Sequence, residues 1–166
     1  IKKIKQYKNF HYIKNNKNLG LPKSINKAIK KSKGKYIVRV DADDYVEKNF
    51  LSISRSFLEF NPKYQAVAVD YYKVNEKNII IEKVNSSKKE IACGVMFLKK
   101  NLFLIGLYNE KFKMREGHEL KKRFTKKFKL GRVKTPLYNY RQHENNRTKN
   151  KNKLKIYDKL IKKINK

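Results

Sequence analysis

The chain has one cysteine, Cys93, in 166 residues, so it can form neither an internal disulfide nor a cysteine-rich metal site. That usage fits a reducing compartment. No apolar run approaches the roughly 20 residues that span a bilayer. The N-terminus, Ile1-Lys2-Lys3-Ile4, has neither an initiator Met nor the apolar stretch of a signal peptide, as expected of a cut into a longer chain. Internal repeats, zinc-finger spacing, aromatic RNA-binding motifs and a single basic stripe are all missing, which counts against a nucleic-acid module. Acids are scarce: 14 Asp and Glu stand against 44 Lys and Arg, a formal net charge of +30.

That charge has two readings. It favours anionic partners, whether nucleic acid or membrane surface. It also reads as compositional habit: 37 Lys against 7 Arg, with 18 Asn, is the bias of an AT-rich coding sequence, and the basic residues run along the whole length. The length fits one domain with a real core, and 39% hydrophobic residues suffice for it.

Against so few acids, Asp41-Ala42-Asp43-Asp44 is an unusual concentration. It follows Tyr36-Ile37-Val38-Arg39-Val40, a β-branched and aromatic run bounded by Gly34-Lys35 that predicts a short buried strand. Open α/β sheets place ligands at the C-terminal ends of such strands. Carboxylates this close repel one another unless a divalent cation or strong donors neutralise them.

Around this strand the pattern predicts the tail of a helix over 1–8, a strand over 10–13, a loop over 15–22 and a helix over 24–32 stopped by Gly34. Strand, loop, helix and strand in that order argue for a parallel α/β unit. Downstream the expectations are a helix over 46–60, strands over 66–74 and 78–84 joined as a hairpin, and an extended run over 91–99 containing Gly94. A helix over 119–128, a strand region over 132–140 broken by Pro136, and a basic amphipathic helix over 153–164 complete the chain.

Six stretches, in order, resemble the inverting glycosyltransferases of family 2, which have the GT-A fold. Asn18-Leu19-Gly20 with Asn26 is similar to that family's Asn-x-Gly loop and following helix. Lys33-Gly34-Lys35-Tyr36-Ile37 is similar to its strand entry, and Asp41-Ala42-Asp43-Asp44 to its Asp-x-Asp motif. Gly106-Leu107-Tyr108-Asn109-Glu110-Lys111-Phe112 resembles its Gly-Gly-Phe-Asp-Glu-x-Phe stretch. Glu119-Leu120-Lys121-Lys122-Arg123 resembles its acid-Leu-x-x-Arg helix, and Tyr140-Arg141-Gln142-His143 its late Tyr-Arg-x-His segment. The likeness covers roughly residues 5 to 148.

The resemblance implies an α/β, GT-A-like mixed and mainly parallel sheet flanked by helices, without the family's first strand-helix-strand unit. Residues 1–148 would form this partial domain and 149–166 a basic C-terminal helix. The implied activity moves a sugar from a nucleotide-diphosphate donor, a UDP-sugar above all, to a cell-surface glycan or lipid-linked acceptor. The missing unit predicts an inactive fragment, and a basic nucleic-acid-binding module or a dead relic stands as the alternative. Location would be cytoplasmic, with the basic helix at an anionic inner membrane face.

By the same resemblance, Asp43 would hold Mn²⁺ or Mg²⁺, with Asp41 and His143 as further ligands and Asp41 also reaching the ribose. Asn18, Gly20, Lys23, Asn26, Arg123 and Arg141 would line the donor side. Asp44, Gly94 and His118 would lie toward the acceptor, although Asp44 also suits the cap of the next helix and Gly94 a bulge. Two alignments compete for the proton acceptor. The usual spacing back from Arg123 puts Glu116-Gly117 at the family's acidic pair, and a shorter one puts His118-Glu119 there. Glu119 is preferred as base, because Glu can take a proton and Gly cannot.

Overall fold

A computed structural model describes residues 8–144, 146 and 150–163. The predicted helix tail over 1–8 falls almost wholly outside them. The elements in chain order are α1 (Leu21–Lys31), β1 (Tyr36–Val38), β2 (Tyr45–Val46), α2 (Phe50–Phe60), β3 (Ala66–Val74), β4 (Ile80–Val84), β5 (Val95–Leu98), α3 (Lys99–Leu104), α4 (Glu116–Lys127), β6 (Leu130–Arg141) and α5 (Lys151–Lys163). Among the described residues no helix is long and apolar enough to cross a membrane.

The strands form one mixed sheet in the order β1-β5-β3-β6-β2, with β4 on the second half of β3. β3 is central and buried along most of its length, which its Ala66-Val67-Ala68-Val69 run permits. Alternate side chains face opposite layers. Ala66 and Ala68 join Phe97 from β5 and Leu120 and Phe124 from α4, whose rings meet edge-on at 5.0 Å. Val67 and Val69 face Leu58 and Phe50 of α2 on the other side.

The fold departs from the sequence reading at several points. Residues 10–13 form no strand, since they have no described strand neighbour. The expected parallel unit around β1 is therefore absent there, and β1 pairs antiparallel with β5. Only β3–β6 is parallel, so the described sheet is mixed but not mainly parallel. Pro136 does not break β6. It sits where the β3–β6 register shifts, and a missing N–H is tolerated at such an irregularity. The helix expected from Val46 starts at Phe50, because Tyr45 and Val46 are drawn into pairing with Tyr138 and Asn139. The run over 91–99 ends in an unforeseen helix, α3, and α4 begins three residues before Glu119.

The hairpin is as expected. Asn75 accepts from the backbone N–H groups of Lys77 and Ile79 at 2.9 Å each, and Asn78 takes the left-handed conformation at φ 64°. α5 docks on the domain through Tyr157, whose ring lies 5.8 Å from that of Phe112, and through an Asp158–Arg115 ion pair at 2.9 Å.

Candidate active site

β1 ends in a cleft of about 600 Å³ lined by Arg39, Asp41, Ala42 and Asp43 on one side and by Met114, Arg115, Glu116 and His118 on the other. Two docking contacts bring these sides together. Gly117 lies against Ala92, so close that a Cβ on it would come within 2.3 Å of the Ala92 Cβ. One turn along α4, Lys121 pairs with Glu90 at 2.7 Å.

Each acid of the cluster has a different neutraliser. Asp41 receives a two-pronged bond from Arg39, with Nε at 2.6 Å and Nη2 at 2.9 Å. Asp43 meets the His143 ring at 2.8 Å, and that bond holds its carboxyl below the usual range despite partial burial. Asp44 turns inward. It accepts from the Tyr138 hydroxyl at 2.6 Å and from the Arg141 backbone N–H at 2.9 Å, while burial pushes its carboxyl up. It therefore neither caps α2, whose N-cap is Asn49, nor lines the cleft. Burial, first, also raises Tyr138 and Cys93, so both stay protonated beside Asp44.

Both acids offered for the base are buried and bonded to an arginine, but only one of them lines the cleft. Glu119 is 1% exposed, does not line the cleft and has both oxygens on Arg123, at 2.5 and 2.8 Å. Arg123 in turn donates to the Leu107 carbonyl at 2.6 Å and to that of Ile105. This pair locks α4 to the 105–107 turn, and neither residue reaches the place the sequence reading gave it. Glu116 does line the cleft, and Arg39 Nη1 donates to its Oε1 at 2.9 Å. His118 lines it too, and burial followed by nearby Arg115 lowers its pKa, favouring the neutral ring.

The remaining expected donor-side residues lie elsewhere. Asn26 is buried, with its amide exchanging bonds with the Tyr108 backbone at 2.9 Å each, so it ties α1 to the 108–110 segment. Asn18 closes a turn on the Gly20 N–H at 2.9 Å, and Lys23 is exposed; neither lines the cleft. Arg141 reaches the Asp43 carbonyl at 2.7 Å and the Glu76 carbonyl at 3.0 Å, fixing the acid loop to the hairpin. Gly94, at φ 70°, makes room for the Tyr138 ring: a Cβ there would lie 3.0 Å from the ring.

Arg39 and Tyr138 were not singled out from the sequence. A guanidinium inside the apolar run over 36–40, one residue past β1 and two before Asp41, is the available signal for the first. Tyr138 gave none, because its hydroxyl finds Asp44 only through the β2–β6 pairing.

For a divalent ion, the carboxylates of Asp41 and Asp43 with the His143 ring are a hard-oxygen and imidazole set of the kind Mn²⁺ or Mg²⁺ accepts. Among the described residues, however, the grouping whose ligand atoms lie within 4.8 Å of one another is Asp41, Asp44 and Cys93, not the set with Asp43 and His143. A soft thiol whose pKa is driven up fits those ions poorly.

The family model for glycosyl transferase family 2 matches residues 1–118. The chain belongs to this family. Uncharacterized glycosyltransferases of Rickettsia conorii and Rickettsia felis are 39% and 38% identical over 85 residues, covering 51% of this chain and 13% of each relative. Staphylococcus aureus TarS 1–349 in complex with UDP-GlcNAc superposes with a TM-score of 0.65 at 17% identity, covering 79% of this chain and 41% of that one. The UDP complex of the same protein gives 0.61 at 18% identity, covering 75% and 40%. The fold is thus of the GT-A type, and the chain spans only a small part of its curated relatives' length. Family membership does not favour the nucleic-acid-binding alternative.

Proposed function

We propose that this family 2 chain carries the reaction centre of an inverting transferase that takes a sugar from a UDP-sugar and passes it to a glycan or lipid-linked acceptor of the cell surface. The supporting observation is that the acid-tipped end of β1 and Glu116 face one cleft. Residues 1–148 are read as the transferase domain and 149–166 as an appended helix. Asp43, Asp41 and His143 would hold Mn²⁺ or Mg²⁺, which when bound neutralises charge on the diphosphate. Glu116 replaces Glu119 as the proton acceptor. The acceptor hydroxyl gives its proton to the Glu116 carboxylate, its oxygen bonds to the anomeric carbon from the face opposite the diphosphate, and the nucleoside diphosphate leaves with the bonding pair.

Titration calorimetry with UDP tests the donor side. UDP should bind with Mn²⁺ present, lose at least about tenfold in affinity after chelation, and lose as much in Asp43→Ala. Binding that ignores both changes would remove the metal and Asp43 from the reading.

The location belongs to the same proposal: a cytoplasmic protein held at an anionic membrane face by α5. Ile156 and Leu160 point outward, 58% and 42% exposed, on a helix with Lys153, Lys155, Lys159, Lys162 and Lys163, whose only acid, Asp158, is held by Arg115. Such a face suits headgroups and the acyl boundary together. Replacing both apolar residues by Ser should lower sedimentation with phosphatidylglycerol vesicles about fivefold at unchanged charge. Undiminished binding would mean that the net charge alone attracts the vesicles.

A further inference from the structure

Glu116 does not stand alone in the cleft. Arg39 commits three of its nitrogens to two carboxylates, with Nε and Nη2 on Asp41 at 2.6 and 2.9 Å and Nη1 on Glu116 at 2.9 Å. The guanidinium is a rigid plane, so these bonds set the distance and orientation of Glu116 relative to the end of β1. Its side chain is 13% exposed and that of Glu116 7%, which leaves little room for either to turn away. Backbone contacts hold the anchor itself, since the Arg39 carbonyl accepts from the Gly94 N–H at 3.1 Å. On the other side, the contact between Gly117 and Ala92 brings the first turn of α4 near enough for Glu116 to reach the plane.

We infer that Arg39 is a positioning residue for the transfer. It acts through Glu116, fixing the proton acceptor against the donor-side acid Asp41, and it rests on the reading of Glu116 as base given above. A lysine cannot take its place, because an ammonium is a point charge without the fork. Reacting groups displaced by about 1 Å cost on the order of 100-fold in rate, and that is the scale of the effect expected here.

The test is a set of four variants, Arg39→Lys, Arg39→Met, Glu116→Gln and the Arg39→Met/Glu116→Gln double variant, each checked for folding by circular dichroism. Donor turnover is followed in the full-length protein, as UDP release from UDP-GlcNAc with Mn²⁺, to water or to an added glycan. Arg39→Met and Arg39→Lys should each lower kcat about 10- to 100-fold, with KM for the donor moving less than about threefold. In the Glu116→Gln background, Arg39→Met should cost less than about threefold more, since its action runs through a carboxylate already removed. An undiminished Arg39→Met penalty in that background, a change confined to KM, or full activity in Arg39→Lys would overturn the positioning role and leave Glu116 as base. Wild-type turnover in Glu116→Gln would instead remove the base assignment, and positioning through it with it. A folded full-length wild type that releases no UDP overturns both. If Arg39→Met does not fold, Arg39→Lys, which keeps the stem and the charge, decides by the same split.

Discussion

Glu116→Gln should reduce donor turnover by about 10²- to 10⁴-fold while UDP affinity stays within about twofold. Glu119→Gln should instead lower stability and leave turnover near wild type. The physical difference lies in what each carboxylate touches. Glu116 lines the cleft with Oε1 on Arg39, so the amide keeps the shape and loses the proton acceptor. Glu119 is buried with both oxygens on Arg123, and Arg123 also holds the 105–107 turn. Removing one charge of a buried pair leaves the other uncompensated, at about 3–5 kcal/mol. In a domain of this size that corresponds to a Tm lower by about 6–20 °C. Turnover per folded molecule should stay within about threefold of wild type. Steady-state UDP release and thermal melts on the two variants separate these outcomes. A Glu119→Gln protein that melts normally and has lost turnover would return the base to Glu119.

The placement of the acid cluster is legible because it is written locally. The run Tyr36–Val40 closing on Asp41-Ala42-Asp43-Asp44 specifies a strand and what stands at its end, and the structure puts Asp41 and Asp43 in the cleft. The 66–84 hairpin was legible for the same reason, since alternation and the Asn75–Asn78 turn lie within one short stretch. Long-range pairing was not legible. Nothing near residue 44 says that Tyr138, 94 positions later, will donate to it, and nothing in a linear spacing separates an acid facing the cleft from one facing an arginine on the next turn. Glu116 and Glu119 are three residues apart on α4, each buried against an arginine, and what distinguishes them is that Glu116 lines the cleft. The pattern also oversupplied sites. Asn26 and Arg123 sit in family-like motifs and Gly94 in the extended run over 91–99, yet here they hold backbone carbonyls, an ion pair and a tyrosine ring. Motif position fixes where a residue lies in the chain, while packing decides whether its polar atoms are available to a ligand.

Gly117→Asp restores an acid at the family's usual spacing and should fail for a geometric reason. Position 117 is buried in the first turn of α4, and a Cβ there would lie 2.3 Å from the Ala92 Cβ and 2.8 Å from its Cα. The second contact is with backbone, so no rotamer change relieves it. α4 must move off the 91–93 segment, and that movement draws Glu116 away from Arg39. Overpacking of this kind costs about 1–3 kcal/mol, and burying a carboxylate beside Glu116 adds to it. The expected result is a Tm lower by at least about 2–12 °C, with donor turnover in the folded fraction down at least about tenfold. Gly117→Ala should show the steric part alone, and Ala92→Gly in the same chain should recover some of it by removing the Cβ–Cβ clash. A Gly117→Asp protein that melts like wild type and turns donor over faster would show that α4 has the freedom to accept an acid at 117. The base position would then lie there, and Glu116 would be its partner on Arg39.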